Sequence, residues 1–106
     1  MSGYLMIASR DPFEWNGAAR FVETAAGLAR EGNKVTLFLV QNGVLASRPC
    51  QAAEVLKTAA DSGVEILADD FSLAERGINN PVDCVKSAKL DTVIDQMVEG
   101  RKTMWF

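Results

Sequence analysis

Apolar residues fall along this chain in two kinds of pattern. Tyr4-Leu-Met-Ile-Ala8 and Lys34-Val-Thr-Leu-Phe-Leu-Val40 are nearly unbroken apolar runs, and Val64-Glu-Ile-Leu-Ala68 is a shorter one. Runs of this kind are what strands covered on both faces require, as in a parallel sheet. Thr103-Met-Trp-Phe106 predicts a last strand, and Cys84-Val85 a short one inside the loop 78–89. The second pattern has helical spacing. Ala18, Phe21, Val22, Ala25, Leu28 and Ala29 line one face of a first helix, which Gly32-Asn33 stops. Ala52, Val55, Leu56, Ala59 and Ala60 do the same for a second, ended by Gly63, with Ser47 as its N-cap and Pro49 in its first turn. Ser72-Leu-Ala-Glu75 has the capping-box form and predicts a short helix ended near Gly77. Leu90, Val93, Ile94, Met97 and Val98 form the stripe of a last helix, ending at Gly100.

The order β-α-β-α-β-(short α)-loop-α-β implies right-handed crossovers. It predicts one α/β domain over 1–106, a three-layer α/β/α arrangement around a mostly parallel sheet of four or five strands. In such sheets ligands bind beyond the carboxyl ends of the strands. That selects three loops: Ser9 to Gly17, Gln41 to Cys50 and Asp69 to Ser72.

Composition narrows the chemistry. The 106 residues carry a net charge of −3 and no histidine. Without a basic cluster, phosphate-backbone binding to nucleic acid is disfavoured. Without histidine, Ser-His-Asp and Cys-His units and imidazole metal ligation are excluded within the chain. The two cysteines, Cys50 and Cys84, form no CxxC motif. The loop Ser9-Arg-Asp-Pro-Phe-Glu-Trp-Asn-Gly17 holds one glycine, so it fits neither a dinucleotide fingerprint nor a P-loop, and no cofactor is expected. No apolar stretch approaches membrane-spanning length and no signal sequence is evident, so a cytoplasmic protein with reduced thiols is expected.

Few residues carry chemistry. Asp69-Asp70, with Asp11 or Glu14, supplies oxygen ligands suited to Mg²⁺, but the reading preferred for the pair is acids that cap a helix. Cys50 is placed in the first turn of the second helix, two residues after Arg48, where a helix N-terminus and a cation both favour thiolate. The alternative is a half-buried thiol that packs like alanine. Cys84 lies between Asp83 and Lys86, so charge alone does not set its reactivity. Phe13 and Trp15 line a pocket, meet another subunit, or lie as a lid on the first helix. Trp105 and Phe106 are expected to be buried in the last strand or against a second copy.

Several stretches stand in a familiar order. They are Ala29-Arg-Glu-Gly-Asn33, Val35-Thr-Leu-Phe-Leu-Val-Gln-Asn-Gly-Val44, Gly63-Val-Glu-Ile-Leu-Ala68, Ser72-Leu-Ala-Glu-Arg-Gly77 and the apolar end Lys102-Thr-Met-Trp-Phe106. Over nearly its whole length the chain resembles the DsrE/DsrF/TusD-like sulfur-relay family. The resemblance implies a three-layer α/β/α fold, assembly into homotrimers or hexamers, and a cysteine that carries sulfur as a persulfide between a donor and an acceptor protein. It places that cysteine directly after the third strand, seven residues before the Arg of an Arg-Gly pair. Arg76-Gly77 matches the pair, and the acceptor position is Asp69. A carboxylate forms no persulfide and disfavours a thiolate beside it. Two expectations follow. Either Cys84, brought back over the strand ends by the loop after Arg76-Gly77, or Cys50 takes the carrier role, with Arg76 steadying the anion. Or the chain keeps the fold for binding and assembly without transfer chemistry.

Overall fold

The computed structural model describes residues 2–13 and 17–106. Five strands form one sheet: β1 (Gly3–Ala8), β2 (Lys34–Leu39), β3 (Glu65–Asp69), β4 (Val85–Ala88) and β5 (Lys102–Trp105). Their order is β4-β3-β2-β1-β5, and every neighbouring pair is parallel. Four α-helices connect them: α1 (Ala18–Arg30), α2 (Gln51–Asp61), α3 (Asp70–Glu75) and α4 (Asp91–Val98).

Register decides which residues share a face. Met6 lies opposite Leu37, and Leu37 opposite Ile66. These pack with Phe21, Val22, Ala25 and Ala26 of α1 and Leu56 and Ala59 of α2 in the larger core. The alternate residues Leu5, Ile7, Phe38 and Leu67 point the other way, where Val93 of α4 meets them. The unbroken apolar runs therefore arise because both faces are covered. The second layer is thin. Its helix buries Val93 and Gln96 but leaves Leu90, Ile94, Met97 and Val98 exposed. β5 pairs on the far side of β1 from β2, so the α4 crossover runs over the face opposite α1 and α2.

A buried polar link holds α4 to the amino end of the sheet. The Arg101 guanidinium donates to Thr36 Oγ1 (2.6 Å) and Gln96 Oε1 (3.0 Å), and Thr36 donates to Glu65 Oε1 (3.0 Å). Thr36 and Gln96 are buried, and these bonds satisfy them.

Three local expectations change. Gln41–Ser47 forms a 3-10 helix, in which Ser47 donates to Val44 O (2.6 Å). Cys50, not Ser47, occupies the N-cap of α2, so Pro49 precedes the helix. Asp69, not Ser72, caps α3, and Ser72 lies inside its first turn. The predicted strand at Cys84-Val85 is real but starts at Val85 and runs to Ala88.

Candidate functional site

The carboxyl ends of β1, β2 and β3 carry a polar corner beside an apolar cavity. The corner starts where β2 stops. Val40 N–H donates to Ala8 O (3.0 Å), which fastens the end of β2 to β1. Gln41 then takes a left-handed backbone, φ +53°, unusual for a residue with a Cβ. Its N–H is held by Ser72 Oγ (2.9 Å). Ser72 in turn donates both its N–H (3.1 Å) and its hydroxyl (2.7 Å) to Asp69 Oδ2. Asp69 and Ser72 are both buried. A carboxylate that caps α3 thus also orients the hydroxyl that fixes the turn after β2.

Arg76 closes the same turn from outside. Its Nε and Nη2 donate to Asn42 Oδ1 (3.2 and 3.0 Å), and its Nη1 to Ser72 O (3.2 Å). Its contact with Glu75 is looser, at 3.7 Å. The expected anion-steadying arginine is a clip between α3 and the turn. The next residue is Gly43, where a Cβ would overlap the Ala8 carbonyl oxygen and lie 2.9 Å from its carbon.

The candidate residues do not converge. Asp70 is exposed on α3, while Asp69 turns inward to Ser72. Asp11 accepts the Phe13 N–H (2.8 Å) in a local turn. Among the described residues no group of three or more His, Cys, Asp or Glu could hold a metal ion. Glu14 and Trp15 lie outside the described residues.

The two thiols sit at opposite ends of the sheet. Cys84 immediately precedes β4, whose Val85 pairs with Ile66. Asp69 pairs with Ala88, four residues beyond Cys84, or roughly 13 Å along the strand. The expectation that Cys84 folds back over the strand ends is therefore corrected. The loop after Arg76-Gly77 returns to the amino end to start a parallel strand. Burial there, followed by the nearby carboxylates of Asp61 and Asp83, holds the Cys84 thiol above its ordinary value of 9.0; a backbone hydrogen bond and Lys57 oppose this without cancelling it. Such a thiol is protonated at neutral pH and a poor nucleophile. Cys50 lies at the carboxyl end, half-buried at the start of α2, with its Sγ 3.9 Å from Ala46 O.

The cavity lies between the amino ends of α1 and α2 and measures about 300 Å³. Its walls include Ala8, Phe21, Val22, Leu39, Gly43 and Leu56. Phe13 stands exposed at its edge with the Arg48 guanidinium 5.5 Å above the ring. The chain end is close by. Phe106 N–H donates to Ile7 O (2.8 Å), and its ring lies 4.4 Å from that of Phe21, centroid to centroid. Trp105 donates from Nε1 to Ser9 Oγ (3.1 Å), yet its ring is 64% exposed. Within this chain, then, the expected burial of Trp105 does not occur. A strand position fixes its backbone, while α4 is too short to cover the ring.

Sequence reasoning missed the Asp69–Ser72–Gln41 link and the Arg76–Asn42 clip, whereas Phe13, one of the expected pocket residues, does line the cavity. The signal available was Gln41-Asn42-Gly43 after a strand, a turn-forming run. The bonds that join it to α3 are long-range in sequence and leave no local trace.

No protein-family model matches the sequence, and no curated protein does. Similar solved structures exist. The ychN protein from E. coli superposes with a TM-score of 0.90 at 18% identity, over 100% of both chains. The conserved protein of unknown function BT1422 from Bacteroides thetaiotaomicron gives 0.79 at 12% identity, covering 99% of this chain and 95% of that one. These likenesses establish the fold, an α/β arrangement with an all-parallel five-stranded sheet. Among the described residues no helix is long and apolar enough to cross a membrane.

Proposed function

We propose that this chain is a DsrE-like binding and assembly subunit whose strand-end corner is a structural cap and not a sulfur carrier. One observation carries the reading. Asp69, at the position where the family resemblance expects the acceptor cysteine, is buried and committed through Oδ2 to two hydrogen bonds from Ser72. A carboxylate has no sulfur chemistry to offer, and this one has a structural task already.

Assembly is supported by what one copy leaves uncovered. Ile94, Met97 and Val98 of α4 are exposed, together with Leu90 at its N-cap and Trp105. An apolar set of this size on one side is the usual mark of a protein contact. A second copy of this chain is the partner proposed, in a trimer or hexamer. Light scattering at micromolar concentration is expected to give a multiple of the monomer mass. The C50S/C84S variant is expected to keep that mass and its melting temperature. A monomer refutes the assembly role, and loss of the assembly in C50S/C84S refutes its independence from the thiols.

A second reading keeps the relay and moves it to Cys50. Its support is position: Cys50 begins α2 at the carboxyl end of the sheet, two residues after Arg48. There a thiolate would attack the outer sulfur of a donor protein's persulfide, breaking the donor's S–S bond and releasing its cysteine as thiolate; an acceptor protein's thiolate would then take that outer sulfur, with the Cys50 thiolate as leaving group. The Cys50 Sγ lies 3.9 Å from the Ala46 carbonyl oxygen.

A further inference from the structure

We infer that β5 and α4 form a self-complementary face on which a second copy of this chain docks about a two-fold axis, the two β5 strands pairing antiparallel, edge to edge. The inference rests on the assembly reading and names the contact within it.

The backbone sets the geometry. Among the described residues no strand pairs with the outer edge of β5. Phe106 N–H donates to Ile7 O, and Phe106 O accepts the Ser9 N–H, so both of its backbone groups point at β1. That direction alternates along a strand, so the groups of Met104 also face β1 while those of Thr103 and Trp105 face outward. A two-fold axis at Met104 then sets Thr103 of each copy opposite Trp105 of the other, and each such pair exchanges two hydrogen bonds. Thr103 and Trp105 also share one face of the sheet. Their partners in β1, Leu5 and Ile7, both pack on the α4 side. The register that satisfies the backbone therefore matches the pleat as well.

Side chains favour the same contact. α4 runs back against the strands in a right-handed crossover from β4 to β5. With Val93 and Gln96 against the sheet, helical spacing turns Leu90, Ile94, Met97 and Val98 to the flank on the β5 side, next to Trp105. Asp91, Asp95 and Glu99 fall on the other flank. Lys102 is turned to the opposite face of the sheet, 5.7 Å from the Tyr4 ring centroid. Two copies thus meet here without like charges between them, although each carries a net −3. The devices that keep sheet edges apart, a proline or a charge on the exposed face, are missing from Thr103-Met-Trp105. The exposed apolar side chains, Val98 at 82% foremost, offer on the order of 500 Å² per copy, against about 800 Å² from each partner in a stable contact. The paired strand edges add to that area.

A two-fold contact closes on itself, so the number of chains is even. Of the two assemblies proposed, light scattering is expected to give the hexamer. Thr103→Pro removes an outward N–H and is expected to halve that mass with the circular dichroism spectrum unchanged. Val98→Lys reads the same contact from α4 and serves if Thr103→Pro folds poorly. In the C50S/C84S background, Met104→Cys is expected to give disulfide-linked pairs of chains once oxidised glutathione is added. The two copies of that position form a non-hydrogen-bonded pair, whose Cα separation lies within disulfide reach. A native monomer overturns the contact and the assembly reading together. A native trimer, an unchanged mass in a folded variant, or no linked pairs in a folded Met104→Cys protein overturns the contact alone.

Discussion

Gly43→Ala is expected to destabilise the protein by about 3 kcal/mol or more, a fall in melting temperature on the order of 15 °C. A Cβ at Gly43 would overlap the Ala8 carbonyl oxygen. That oxygen cannot withdraw freely, because it accepts the Val40 N–H and so ties the end of β2 to β1. Gly43 cannot withdraw either. Its own N–H bonds Val40 O (3.0 Å), and Val44, immediately after it, is fully buried. The substitution therefore combines overpacking with the loss of a hydrogen bond at a buried strand end. Gly27, in the last turn of α1, is the control. Nothing lies within 4 Å of a Cβ there, so Gly27→Ala is expected to stabilise by about 1 kcal/mol. Thermal melts of both variants check the pair. A Gly43→Ala protein as stable as the parent would mean that the turn is not held against β1.

Asp69→Ala is expected to cost about 2–4 kcal/mol in urea or thermal unfolding. Two losses add. The cap of α3 goes, leaving the Ser72 N–H without its acceptor. The buried Ser72 hydroxyl also loses the oxygen it donates to, and with it the orientation that lets Oγ accept from Gln41. Asp69→Asn keeps an acceptor oxygen and is expected to lose about 1 kcal/mol. In Asp69→Ala/Ser72→Ala the stranded hydroxyl is gone, so the double variant is expected to lose less than the two single costs combined. Additive costs would show that the two residues do not act as a pair.

Much of the fold is legible in the sequence because its signals are local. β1 and β2 read as buried on both faces, and the stripes of α1 and α2 name the residues that reach the core. Even the four-residue β5 is announced by Thr103-Met-Trp. Helix starts are harder, since in each case the helix begins away from the serine that looks like its cap. At α3 the carboxylate of Asp69 reaches the Ser72 N–H, so the helix begins earlier than the capping-box pattern suggests. At α2 the 3-10 turn consumes Ser47, so the helix begins later. The candidate site is the least legible part. Cys84 looks near the strand-3 corner in sequence order, but parallel pairing of β4 with β3 carries it to the opposite end. Asp69 reads as a metal ligand or a cap from its neighbours alone. The bond from Ser72 to Gln41, 31 residues away, ties that cap into the turn after β2. The chain's own Arg76 is spent on Asn42 for the same purpose.

Persulfide loading separates a cap from a carrier. The native protein is incubated with glutathione persulfide, freed of excess donor, and the peptides that contain Cys50 and Cys84 are read by mass spectrometry. The expected result is no added sulfur on either peptide. Stoichiometric added sulfur on Cys50, discharged when a second thiol is supplied and absent from the C50S variant, would contradict it.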